Sequence, residues 1–119
     1  MLKPLHHWKR MRHMAPPEWE LAWQLRRSPS FCWRSGMGML YPDGSYATYQ
    51  GFILPHGDPL PYLLSDRTAG CLMGLLSETG PGWQTTLREH LEGGGDWRIA
   101  VACGLLERWG EPLEEQRTA

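Results

Sequence analysis

This chain has little with which to build an extensive sheet. Ile53, Ile99 and Val101 are the only β-branched aliphatic residues among 119. Leucine carries most of the remaining aliphatic content, which favours helices and argues against an all-β core. Cysteine is also sparse. Cys32, Cys71 and Cys103 are odd in number, far apart and without a CxxC pair. That pattern speaks against a disulfide framework and fits a reducing cytoplasm, with Cys71 and Cys103 as packed thiols in helical patterns. No apolar run reaches the roughly 20 residues of a membrane span. The N-terminus has basic residues but lacks the apolar stretch of a secretory signal. Acids are missing from residues 6–14, "HHWKRMRHM". Repeats and low-complexity tracts are absent as well.

A 119-residue chain with 41% hydrophobic and 21% charged residues fits one globular domain. Seven tryptophans are a heavy load for that length, enough to anchor a small core or a binding face. The net charge of −1 is unevenly spread. Residues 1–40 carry seven basic side chains against Glu18 and Glu20, whereas residues 41–119 carry five against eleven acids. A basic front and an acidic back suggest orientation toward a charged partner.

The pattern predicts an α+β fold. It comprises an N-terminal helix, a small antiparallel hairpin sheet of two or three strands, and a three-helix layer packed on that sheet. Residues 1–15 read as a basic, histidine-rich arm, 16–110 as the domain and 111–119 as an acidic tail. In "PPEWELAWQLRR", residues 16–27, proline suits the first turn and arginine the last. Trp19, Leu21, Ala22, Trp23 and Leu25 define its apolar face. Residues 36–54 give the β signal around Pro42-Asp43-Gly44-Ser45, a strong turn in which Gly44 can take positive φ. Tyr41 and Tyr46 are expected as a cross-strand pair. The return strand runs through Ile53, with both faces partly covered. "FCWR", residues 31–34, is a candidate third strand. Residues 55–61 read as a proline-rich loop and 62–64 as a short re-entering strand. Helices are predicted over 66–78, 82–92 and 96–109. Ser65 or Asp66 caps the first and Asp96 the last. The rows Trp83/Leu87/Leu91 and Trp97/Val101/Leu105 face the core, and Gly70 and Gly74 leave a slim side for a close helix contact or a dimer.

No motif fixes a reaction. His6, His7 and His13 lack acidic or cysteine partners nearby, and the cations among them oppose a dication, so no metal site and no cofactor is assigned; His56, Asp58 and His90 are only distant candidates. Cys32 is the best nucleophile, with Arg34 to lower its pKa and His56 as base, but no family signature surrounds it and no catalytic residue is assigned. "GGGDW" precedes a helix, yet Asp96 there repels an anion. The helix–GGG–helix over 83–109 offers only Arg98 and Arg108 to a groove, so it is not read as a helix-turn-helix.

The favoured reading is a non-enzymatic binding protein that occupies a surface of a larger protein or nucleoprotein. Its expected contacts are Trp8, Arg12, Arg26, Arg27, Trp33 and Arg34 on a basic face, with Tyr46 and Tyr49 on the hairpin. Met11, Met14, Met37 and Met39 would add adaptable contacts. Glu107, Glu111, Glu114 and Glu115 are an alternative, phosphate-mimicking surface. In size and character the chain resembles the small inhibitors of phages and mobile elements, anti-CRISPR proteins among them; the resemblance covers no motif and transfers no residue. The alternatives are direct nucleic-acid binding by the basic front and a small cysteine- or metal-dependent enzyme.

Overall fold

The computed structural model describes residues 16–110. The arm at 1–15 and the tail at 111–119 lie outside them, and with them Trp8, Arg12, the three arm histidines, Met11, Met14, Glu111, Glu114 and Glu115. The described residues form an α+β unit: α1 (Pro16–Arg27), β1 (Gly38–Leu40), β2 (Tyr46–Thr48), β3 (Leu60–Pro61), α2 (Asp66–Ser77), α3 (Trp83–Leu91) and α4 (Trp97–Arg108). No helix among them is long and apolar enough to cross a membrane.

The turn chemistry works as the sequence predicts. Gly44 N donates to Tyr41 O and Tyr41 N donates to Ser45 O, both at 2.9 Å. Gly44 sits at φ 91°. This is a tight turn followed by a left-handed residue, a common three-residue hairpin connection. Asp43 Oδ1 accepts from both Ser45 N and Ser45 Oγ, and those bonds lower its pKa.

Around that turn the strands are shorter than expected and differently placed. β2 stops at Thr48 because Tyr49 O is taken by Gly36 N and Gly51 adopts φ 109°. Residues 31–34 do not form a strand. Met37 N donates to Arg34 O and Arg34 N to Met37 Sδ, closing a turn. The third strand is Leu60–Pro61, not 62–64. It pairs antiparallel with β1, giving the order β2-β1-β3. Proline is compatible with this strand because it lies at a sheet edge.

Tyr41 and Tyr46 do not pair. Tyr46 lies opposite Leu40, and its ring crosses diagonally over Gly38, where an added Cβ would come within 2.9 Å of the ring Cε2. It meets Tyr62 edge-on at 5.7 Å. Tyr41 is fully buried on the other face, where its hydroxyl accepts from Leu54 N at 2.8 Å. Both faces of β1 are therefore covered.

The helices bury most of the predicted stripes. Trp19, Leu21, Ala22 and Leu25 join Leu72, Leu75, Leu76, Val101, Leu105 and Leu106 in one core, with Trp23 packed at its margin. α4 is central and packs on α1, α2 and α3. Ser65 caps α2 through Thr68 N, and Asp96 caps α4 through Arg98 N. Two predicted core positions are exposed instead: Leu91 ends α3 and Trp97 opens α4, on either side of the glycine linker. Thr86 is the residue α3 buries. Gly70 faces open space and Gly74 lies against the Arg34 side chain, so among the described residues the slim side of α2 receives no helix.

One side-chain bond joins sheet to helices. Gly38 N donates to the buried Thr68 Oγ1 at 2.8 Å. Thr68→Val keeps the shape but leaves that N–H buried without an acceptor. We expect a loss of ~1–3 kcal/mol, read as a lower urea midpoint at unchanged slope. Asp96 also accepts from the Arg98 guanidinium, which holds its carboxyl below the usual range. A depressed folded pKa stabilises above the unfolded value and loses that contribution as pH falls through the folded one. The melting temperature should therefore decline as pH drops below about 4, and the decline should be shallower in Asp96→Asn.

Candidate functional site

The site begins where α1 ends. Arg26 and Arg27 occupy its last turn, where cations favour the negative end of the helix. Ser28 N bonds back to Leu25 O, and Ser28 Oγ accepts from Ser30 N, so the chain turns sharply at Ser28-Pro29. That reversal carries Phe31 and Trp33 back alongside Arg26.

The Arg26 guanidinium lies 5.9 Å from the Phe31 ring and 5.9 Å from the Trp33 ring. Phe31 meets Trp33 edge-on at 5.1 Å and 90°. Trp33 then stacks on Tyr49 at 5.9 Å and 22°. The result is a continuous array, Arg26–Phe31–Trp33–Tyr49, that spans from helix to sheet. Arg27 lies 4.7 Å over Trp23 on the same helix end. Each such cation–ring contact is worth ~0.5–1 kcal/mol at an exposed site. All four array members are half-buried, and Arg27 is exposed. The array is also anchored from below: Tyr49 N donates to Met37 O at 2.8 Å. Arg26 Nε and Trp33 Nε1 are buried and have no hydrogen-bond partner among the described residues.

Arg34 belongs to the neighbourhood but not as a free cation. Its two terminal nitrogens donate to the two carboxylate oxygens of Glu78, each at 2.6 Å. The bond lowers the Glu78 pKa and raises that of Arg34. The sequence places Arg34 on a basic surface, and the pair with Glu78 offsets its charge there. Beside the pair, Ser30, Leu75, Glu78, Thr79, Arg108 and Trp109 line an open cleft of about 440 Å³. Arg108 is occupied too, donating to Thr79 Oγ1 at 3.0 Å and to Pro81 O at 2.8 Å.

The expected hairpin contacts separate. Tyr49 is part of the array, whereas Tyr46 lies on the other face of the sheet against Tyr62. Phe31 and Trp23 were missed as array members. Their aromatic spacing to Arg26 and Arg27 was visible in the sequence, but the reversal at Ser28-Pro29 was not.

The chemistry-bearing residues are placed as follows. Cys32 is exposed. The His56 ring packs edge-on against Tyr41 at 5.5 Å, in the loop covering the other end of the sheet. The Cys71 thiol donates to Ser35 O, and burial pushes its pKa up, which disfavours the reactive thiolate. All three cysteines are thiols, not disulfides. Among the described residues, no group of three or more His, Cys, Asp or Glu side chains converges to hold a metal ion. His90 instead pairs with Glu107 at 3.0 Å.

Compared with protein-family models, with curated proteins and with solved structures, the chain finds no match in any of the three.

Proposed function

We propose that this is a non-enzymatic binding protein, acting by occupying a surface of a larger protein or nucleoprotein. The observation that carries the reading is the Arg26–Phe31–Trp33–Tyr49 array, extended by Arg27 on Trp23. Stacked rings lose little rotamer freedom on binding, and tryptophan, tyrosine and arginine are the residue types that dominate interface energetics. A guanidinium lying on a ring keeps its N–H edge available to a carboxylate or carbonyl. The fitting partner surface is apolar with an acceptor at its rim.

A protein surface fits better than naked nucleic acid. Arg34 is neutralised by Glu78, and Glu18 and Glu20 share α1 with the two stacked arginines. Residues 16–110 carry ten carboxylates against seven arginines. Backbone phosphates call for a continuous basic stripe. The finer version of the proposal, an inhibitor of the phage or mobile-element type working in the cytoplasm, rests on the size and character of the chain and on cysteines that form no disulfide.

Affinity capture from a cognate lysate, followed by calorimetry with the captured protein, tests this. Trp33→Ala should weaken binding about 30-fold, the effect of a ~2 kcal/mol hot spot. Arg26→Ala should weaken it in the same direction, with both variants melting cooperatively. Equal affinity in wild type and Trp33→Ala overturns the assignment of the array. A gel shift that falls steeply with salt and vanishes on reversing Arg26 and Arg27 overturns it in favour of nucleic acid.

A further inference from the structure

The sheet has two edges, and only one is closed. β3 forms the first. Both its residues are buried, and Pro61 has no N–H to offer on the outer side. β2 forms the second. Tyr41 N donates to Ser45 O and Tyr49 N to Met37 O. Peptide groups alternate along an antiparallel ladder, so 45, 47 and 49 face β1. Tyr46 and Thr48 therefore direct their N–H and C=O groups outward. Tyr46 is 47% exposed, and no further strand pairs with this edge among the described residues.

Such edges are normally blunted by charge, proline or a covering segment. Here residues 46–54, "YATYQGFIL", contain no charged residue and no proline. Phe52 and Ile53 in the same run are 61% and 40% exposed. Among the described residues, the brevity of β2 is the guard it retains.

We propose that β2 is a self-association edge, pairing antiparallel with β2 of a second copy about a two-fold axis at Ala47. In that register Tyr46 faces Thr48 of the second copy, and each pair exchanges both backbone hydrogen bonds through the groups that point outward. The two three-stranded sheets become one continuous sheet. The sequence suits this occupant in particular. The axis sets residue 47 against itself, and alanine is small and uncharged there, where a long or charged side chain would meet its own copy. The Tyr46 ring is turned inward over Gly38 and against Tyr62, so it does not block the approach of a second strand. Nothing in the run repels its own copy. The pairing itself uses backbone groups.

Light scattering coupled to gel filtration on the full chain tests this over a concentration series. The wild type should double its mass as concentration rises. Ala47→Lys and Ala47→Glu should each stay at monomer mass with an unchanged circular dichroism spectrum, and their equimolar mixture should regain the dimer through opposite charges at the axis. Hydrogen exchange on the wild type provides a readout that needs no variant. The Tyr46 and Thr48 amides should become protected as concentration rises, while Ala47, already bonded to β1, should not change. A wild type that remains monomeric up to its solubility limit, or a dimer whose Tyr46 and Thr48 amides exchange freely, overturns the proposal.

Discussion

The junction between the sheet and α2 passes through Gly38. Its N–H donates to Thr68 Oγ1 in the first turn of α2, and its C=O accepts from Tyr62 N beyond β3. Its missing side chain makes room for the Tyr46 ring. One backbone position thus ties α2 to the sheet, closes the β3 side and seats the aromatic that covers one face of β1. A small sheet with so few β-branched residues has little intrinsic preference to hold it. It persists because β1 is buried on both faces and its polar groups are answered from outside the sheet as well as within it.

The arginines divide the labour of the surface. Arg98 reaches from the start of α4 to Asp96, Asp66 and the Leu64 carbonyl, tying α4 to the segment that enters α2. Arg108 reaches from the end of α4 to Thr79 and Pro81, fixing the turn into α3. Arg34 spans from the loop before β1 to Glu78 at the end of α2. Individually, exposed pairs of this kind contribute little, but their placement at both ends of the helix layer sets its geometry. The consequence for recognition is direct. Cations paired inside the chain attract phosphates weakly, whereas Arg26 and Arg27 lie on rings and not on carboxylates.

The elements were largely legible in the sequence, because helix boundaries follow local rules. Pro16, Ser65, Asp96, Gly80-Pro81 and Gly110 punctuate the chain where caps and breakers should, and the Pro42–Ser45 turn needs only φ preferences. What failed were pairings that depend on tertiary placement. Tyr41 and Tyr46 flank a turn, and nothing local reveals that Gly38 would draw one ring diagonally across the sheet. Pro61 argued against a strand, and only its position at an edge removes the objection. Leu91 and Trp97 fall on apolar rows, but they sit where α3 and α4 meet the linker and the core has ended. For the site, residue types were legible and partners were not. Arg34 counted as basic until Glu78, forty-four positions on, was brought against it. The reversal at Ser28-Pro29 turned Phe31 and Trp33 into stacking partners of a helix terminus.

The same logic bears on what kind of function this surface serves. Catalytic sites concentrate perturbed titratable groups that local structure does not require. Here each perturbed group among the described residues has a structural task. Asp43 holds a turn, Asp96 caps a helix, Glu78 and Arg34 bridge two segments, Arg98 ties α4 to α2, and Cys71 is shifted by burial. Local structure accounts for each of these shifts. Two further features stand apart from them: the ring array beside Arg26, with Arg27 over Trp23, and an uncharged strand edge whose amides point outward. Both are surfaces that the proposed binding function would use. The stack offers aromatic and arginine side chains, whereas the edge offers backbone alone, which matches its own copy without any change of sequence.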